Sequence, residues 1–266
     1  MSVKGIETMK PVIIKNIKIG EGKPTVCVPI VEADEAAVLE ACRRIRETDA
    51  EMIEWRADQF AGYRNEEEVL AVLAKLREAY PEKPLLFTIR SDKEGGQAVL
   101  DDYQYLTLNQ AVIRSGNADL VDVELSRGEE IAKQLLKNAH LHSLHVILSA
   151  HCFDETPEDA RMIETVRKMN ELGADICKLA VMPKDKEDVV RLLLITEQLS
   201  RDFQDVPIVT MSMSGLGLIS RISGEVSGSA ITFGSLGKPS APGQIELQEL
   251  QDLLAKVHEG MLEAEG

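Results

Sequence analysis

A single (β/α)8 barrel of the TIM type, preceded by a short β-hairpin, is the α/β fold class that this sequence predicts. Three observations carry the prediction. Strand and helix patterns alternate eight times along a 266-residue chain, with no break in composition that would divide it. The Gly-rich phosphate turn that a doubly wound open sheet carries after its first strand is missing. Charged residues recur on one face of successive strands, near the C-terminal ends, where a barrel keeps its mouth.

Residues 1–10 are expected to be a poorly patterned N-terminal extension, and residues 11–266 one barrel domain. From Pro11 to Gly20 apolar and polar residues alternate, and Glu21-Gly22-Lys23-Pro24 turns; this predicts a hairpin ahead of the main fold. The first strand–helix unit is predicted at Thr25–Ile30 and Asp34–Glu47, the helix with Ala37, Leu39, Ala41 and Ile45 among its apolar positions. The second is Ala50–Trp55 and Glu66–Tyr80, whose exit Pro81 and Pro84 bracket. The third is Pro84–Ile89 and Asp101–Ser115, with Gly116 as the helix stop. The fourth is Leu120–Leu125 and Glu129–His140. The fifth strand is His145–Ala150, and Thr156-Pro157-Glu158 opens its helix with proline in the first turn. The sixth unit is Asp175–Val181 and Lys184–Phe203, the seventh Pro207–Ser212 and a short helix at Gly217–Ser223, the eighth Ser229–Phe233 and Gln248–Glu259.

Hydrophobic residues make up 44% and charged residues 28%, the balance of an ordinary globular protein. A net charge of −15 argues against nucleic acid or an anionic membrane surface as partner, although a local group of arginines could still hold a small anion. No apolar run approaches a membrane span, and no secretory leader is read. Cys27, Cys42, Cys152 and Cys177 form no C-x-x-C pair and are read as reduced, which fits a cytoplasmic location. His140, His142 and His145 match no strong metal signature; histidine at a helix C-terminus satisfies the macrodipole, and no metal is expected.

Parity gathers the chemistry. Side chains of a strand alternate faces, so Met52, Glu54 and Arg56 share one face, as do Leu86, Thr88 and Arg90. Leu120, Asp122 and Glu124 line up in the fourth strand, His145, Ile147, Ser149 and His151 in the fifth, and Ile176, Lys178 and Ala180 in the sixth. The opposite faces are apolar and suit the surrounding helices. Glu54, Arg56, Arg90, Asp122, Glu124, His151 and Lys178 are therefore expected inside the barrel. The bland alternative, a solvated charge capping one strand, does not explain matched parity on five strands.

A lysine inside an apolar strand is costly to desolvate, and a positioned amine attacks ketones. Burial and nearby cations such as Arg90 would favour its neutral form. The resulting iminium acidifies the adjacent C–H. His151 can carry protons in both directions, and Glu94 can orient it. Arginines suit a carboxylate; Glu54 and Arg56 suit hydroxyls. The implied substrate is a small, polar, carboxylated ketone. Other features stay open at this level. Taken alone, Glu94-Gly95-Gly96 reads first as a plain turn, Met211 and Met213 as packing, and Arg221 with Glu225 as a surface ion pair. The Gly- and Pro-rich stretch Gly234–Gly243 is a lid or a connector, bringing Ser240 and, just beyond it, Gln244.

Taken together, several stretches resemble the type I 3-dehydroquinate dehydratases of the shikimate pathway, from Pro11 to about His258. They are Glu54-Trp55-Arg56, Phe87–Arg90 with Lys93–Gly96, Glu171–Asp175 leading to Lys178, Met211–Met213, Ile219–Arg221, Gly228-Ser229 and Ser240–Gln244. The resemblance implies a hydro-lyase that converts 3-dehydroquinate to 3-dehydroshikimate by syn elimination of water. It implies a Schiff base on Lys178, proton transfer by His151 and support from Glu94. Arg221 would hold the carboxylate; Glu54, Arg56, Arg90, Ser240 and Gln244 would bind ring hydroxyls or close the site. No metal or organic cofactor is implied, and a homodimer is. A class I Schiff-base aldolase shares the barrel and the lysine, but Arg221 and the Ser240–Gln244 stretch stand in place of a phosphate-binding turn after the seventh strand. The family pattern around the histidine is Ser-Asn-His-Asp-Phe, whereas this chain has Ser149-Ala150-His151-Cys152-Phe153. A catalytically impaired barrel is the second alternative that this departure raises.

Overall fold

The computed structural model describes residues 10–265. The expectation for residues 1–9 lies outside the described residues. Strands β1 (Val12–Ile14) and β2 (Ile17–Ile19) form an antiparallel hairpin. Its turn is at Lys15-Asn16, with Lys15 in left-handed backbone (φ 55°), earlier than the predicted turn at residues 21–24, which only leads into the barrel.

Eight parallel strands follow: β3 (Thr25–Ile30), β4 (Met52–Arg56), β5 (Leu85–Thr88), β6 (Leu120–Glu124), β7 (His145–Cys152), β8 (Ile176–Val181), β9 (Ile208–Ser212) and β10 (Ile231–Ser235). From β3 to β9 each strand pairs with the next, and β10 pairs back with β3. The seam between β9 and β10 is closed differently. The Ala230 N–H donates to the Ile208 carbonyl at 2.8 Å, and the Ser229 hydroxyl bridges Thr210 through its N–H (3.0 Å) and carbonyl (3.2 Å). This is why β10 begins at Ile231 rather than at the predicted Ser229: the two preceding residues serve the seam. A two-residue strand β11 (Ile245–Glu246), not predicted, adds to β10.

The helices are α1 (Glu35–Arg46), α2 (Glu66–Ala79), α3 (Asp102–Ser115), α4 (Glu129–Leu141), α5 (Asp159–Glu171), α6 (Lys186–Asp202), α7 (Ile219–Ile222), α8 (Gly224–Ser227) and α9 (Leu247–Glu265). Capping explains several starts. Asp34 accepts the Ala37 N–H, Asp101 and Gln104 form a reciprocal capping box, and Asp185 accepts the Asp188 N–H. Gly116 ends α3 in left-handed backbone, as expected. Pro157 lies before α5, whose cap position is Glu158, so the proline ends the loop and is not in the first helical turn. The predicted seventh helix is two short helices, because Ser223 sits between them outside helical geometry.

The interior is layered by the parity read from sequence. Cys27, Met52, Leu86, Leu120, Ile147, Ile176 and Val209 form an apolar floor, and Ile14 and Ile19 of the hairpin pack into the same cluster. The hairpin therefore plugs the N-terminal end of the barrel. Glu54, Thr88, Asp122, Ser149 and Lys178 stand two residues further along their strands, one layer towards the mouth, and all are buried. The outward residues, such as Ile53, Trp55, Phe87, Val121, Leu148 and Cys177, join the helices in the larger core.

Candidate active site

A cavity of about 50 Å3 lies above the floor, and all nine residues expected in the site line it: Glu54, Arg56, Arg90, Glu94, His151, Lys178, Arg221, Ser240 and Gln244. Lys178 is 4% exposed and sits mid-strand in β8. Its Nζ lies 3.4 Å from Asp122 Oδ2 and 4.6 Å from the centre of the Phe233 ring. A carboxylate is thus paired with the amine, and Arg90 shares that same carboxylate. Arg90 is turned to anions of its own: Nη2 donates to Asp122 (2.7 Å), and Nη1 to Glu124 (3.1 Å) and to the Ser149 hydroxyl (3.0 Å).

β7 runs on to Cys152 because its ladder with β8 continues through His151↔Ala180 and Cys152↔Val181. This extension fixes the backbone of His151, whose side chain is 9% exposed. Its Nδ1 is 2.7 Å from Glu94 Oε2, and the other Glu94 oxygen accepts the Ser126 hydroxyl. Burial, then the positive charges of Arg90, Lys178 and Arg56, hold His151 well below the ordinary histidine range, so it is neutral at neutral pH. Burial is also the main reason that the Glu94 carboxyl is pushed up to about 7, against the pull of Arg90. With Nδ1–H donated to the carboxylate, the free Nε2 is a base.

The turn after β5 is what delivers Glu94, so the plain-turn and functional readings of Glu94-Gly95-Gly96 describe the same thing. A Cβ on Gly96 would sit 2.1 Å from the Arg90 carbonyl oxygen, and one on Gly95, which has φ 78°, 2.2 Å from the Phe153 ring. The Phe153 ring in turn stacks on His151, with centroids 6.5 Å apart.

Arg221 is 2% exposed, and Glu225 pairs instead with His258 at 2.7 Å. The surface-pair reading is overturned: α7 turns the guanidinium inwards. Arg221 Nη2 donates to the Pro242 carbonyl (2.9 Å), Nε has no partner, and no carboxylate approaches it among the described residues. Burial lowers its pKa to about 10, still charged at neutral pH. The Ser240–Gln244 stretch closes over the cavity, with the Gln244 side chain bonded to the Ser240 N–H (2.6 Å) and hydroxyl (2.9 Å). Met211 and Met213 are buried as expected of packing residues, but they also line the cavity wall.

Asp58 was missed. It holds Arg56 by two bonds of 2.8 Å and accepts the N–H groups of Arg90 (3.3 Å) and Gln97 (3.1 Å), tying β4 to the Glu94 turn. It lies just past β4, where strand parity no longer applies; its spacing of two from Arg56 was the available signal. Ala150 and Cys152 face away from the site. They line a separate cavity of about 270 Å3 behind Glu94 and His151, against α5. His140 Nε2 (2.9 Å) and His145 Nδ1 (3.4 Å) both meet Asp175, while His142 bonds the Asn138 carbonyl at 2.9 Å.

The raised Glu94 pKa makes a prediction about stability. A carboxyl whose folded pKa lies above its unfolded value of 4.5 stabilises the fold below pH 4.5, and that contribution is lost as pH rises through about 7. Glu94→Gln is therefore expected to be more stable than the parent at pH 8, by at most about 3 kcal/mol, with no advantage at pH 4.5. Thermal unfolding at the two pH values checks it; equal midpoints at pH 8 would contradict it.

Fold and site define a class: a (β/α)8-barrel lyase with a buried lysine beside a histidine–carboxylate pair. The chain matches the type I 3-dehydroquinase family over residues 26–261. The chain belongs to that family. It is 45% identical over 251 residues to the 3-dehydroquinate dehydratase of Shigella dysenteriae, covering 94% of this chain and 100% of that one. Among solved structures, the type I 3-dehydroquinate dehydratase of Clostridium difficile, with covalently modified comenic acid, superposes with a TM-score of 0.92 at 42% identity, over 95% of this chain and 99% of that one. The Geobacillus kaustophilus 3-dehydroquinate dehydratase gives 0.91 at 38% identity, over 95% and 98% of the two chains.

Proposed function

We propose that this chain is a 3-dehydroquinate dehydratase that works through an imine on Lys178. One observation carries the reading: one cavity holds a buried lysine, a neutral histidine bonded to a carboxylate, and an arginine that no carboxylate approaches among the described residues. A carboxylated ketone with hydroxyls on its ring supplies what each of these lacks.

The substrate carboxylate pairs with Arg221, and Ser240 and Gln244 close behind it. Glu54, which accepts the Thr88 hydroxyl at 2.8 Å, keeps acceptor capacity for a ring hydroxyl, beside Arg56 and Arg90. Lys178 Nζ gives up its ammonium proton and attacks C3; that proton passes to the carbinolamine hydroxyl, which leaves as water to give the iminium. His151 Nε2 removes the C2 proton, and the electron pair of the C–H bond moves into the iminium to form an enamine. The pair returns as the C1–O bond breaks, and His151 gives its proton to the departing hydroxyl, which leaves as water. Hydrolysis of the conjugated iminium releases 3-dehydroshikimate and restores Lys178. Glu94 holds the Nδ1–H throughout, so Nε2 stays aimed at the substrate. No metal or organic cofactor is needed for these steps.

The test is to add 3-dehydroquinate and follow ultraviolet absorbance as the conjugated enone forms. Steady growth supports the proposal; none, with folded protein, rejects it. Arg221→Ala is expected to raise KM about 100-fold through loss of a charge-assisted pair. An unchanged KM would take Arg221 out of carboxylate binding. A cytoplasmic homodimer completes the proposal. Four free thiols support a reducing compartment, and sedimentation should give twice the 29.4 kDa chain mass.

A further inference from the structure

We infer that Asp122 is a further catalytic residue: its carboxylate is the counter-ion that keeps the Lys178 imine protonated, with the face of Phe233 as a second support. The inference rests on the imine mechanism proposed above. Asp122 is 1% exposed, in β6, and its carboxylate accepts from three donors. Oδ1 accepts the Ser149 hydroxyl at 2.6 Å; Oδ2 accepts Arg90 Nη2 at 2.7 Å and lies 3.4 Å from Lys178 Nζ. Burial opposes ionisation, but Arg90 and Lys178 outweigh it and hold the carboxyl below its usual range. The Phe233 ring, 4.6 Å from Nζ, presents the negative face of its π system to the same atom.

Both neighbours attract positive charge at Nζ. That is a poor way to make a nucleophile and a good way to keep an iminium charged. A neutral imine withdraws electrons weakly, so only the protonated form acidifies C2. The nitrogen is cationic in the ammonium, the iminium and the conjugated iminium of the product, and one fixed carboxylate serves all three. Asp122 itself transfers no proton.

The other charged groups around the cavity are mostly answered elsewhere. Arg56 is bound by Asp58, Arg90 by Asp122 and Glu124, and His151 by Glu94. Glu54 bonds Thr88, Arg221 faces the Ser240–Gln244 stretch, and burial keeps the Cys27 thiol neutral. Among the described residues, Asp122 is the carboxylate within ion-pair distance of Lys178.

The test uses cyanoborohydride, which reduces an iminium but not a neutral imine. The parent, Asp122→Asn and Phe233→Leu are incubated with 3-dehydroquinate across a pH series, and the adduct is read by intact mass. In the parent, trapping should persist to alkaline pH. In Asp122→Asn it should fall away at least about one pH unit lower, with kcat at pH 8 down about tenfold or more and KM nearly unchanged. Phe233→Leu should move the limb the same way by less. An Asp122→Asn limb that coincides with the parent's overturns the inference. If Asp122→Asn shows no cooperative unfolding, Phe233→Leu decides by the same criterion. No adduct in the parent rejects the imine reading itself, and with it the role of Asp122.

Discussion

Replacing Lys178 with methionine is expected to abolish turnover of 3-dehydroquinate, by on the order of 10⁴-fold or more, while the fold survives. The reason is chemical. Without the amine there is no iminium, and His151 would have to remove a proton beside an ordinary ketone. The fold should survive because methionine has similar length, and Asp122 keeps Arg90 and Ser149 as partners. Removing a buried ammonium also removes its desolvation cost. Thermal unfolding within a few degrees of the parent, with no product absorbance, is the expected pair of results. Retained activity in a folded variant would contradict the role of Lys178.

His151→Ala should separate binding and imine formation from elimination. Turnover is expected to fall by on the order of 10⁴-fold, because the same imidazole acts as base and then as acid. The amine, Arg221 and the closing stretch are untouched, so the substrate should still form its imine and accumulate on the protein. Mass spectrometry after reduction should therefore find more adduct at steady state than in the parent. Near-normal turnover would remove His151 from the mechanism. Loss of the adduct would mean that the imidazole is already required to form the imine.

The sequence was most legible where the rule was simple. Two-residue periodicity put Glu54, Asp122, Lys178 and His151 on the inner face because a strand buried on both sides has only one face that can tolerate charge. The same rule turned Ala150 and Cys152 away from the cavity, where the structure has them against α5. It failed where backbone leaves the ladder. Asp58 acts from a single 3-10 turn after β4, and Ser229 closes the barrel with its hydroxyl. Residue pattern alone left Arg221 in a surface ion pair, and only the family resemblance placed it in the site, because a four-residue helix carries too little periodicity to show which side is buried. Partner choice was also beyond reach. Parity places Arg90 near Lys178, but it does not contain the fact that Asp122 and Glu124 take its donors and that Asp122 also stands beside the amine.

The departure around His151 carries a physical meaning in this setting. Ala150 and Cys152 remove no group from the cavity, and the His151–Glu94 bond of 2.7 Å is made without them. What they alter is the space behind the pair, where Glu94 and His151 border a second cavity.

The central claim is that Lys178 is the atom to which the substrate becomes bonded. Incubating the protein with 3-dehydroquinate, reducing with borohydride and sequencing the modified peptide by mass spectrometry tests it most directly. One adduct per chain, on the peptide carrying Lys178 and absent from Lys178→Met, is the predicted result. Active protein that yields no adduct, or an adduct on another residue, would contradict it.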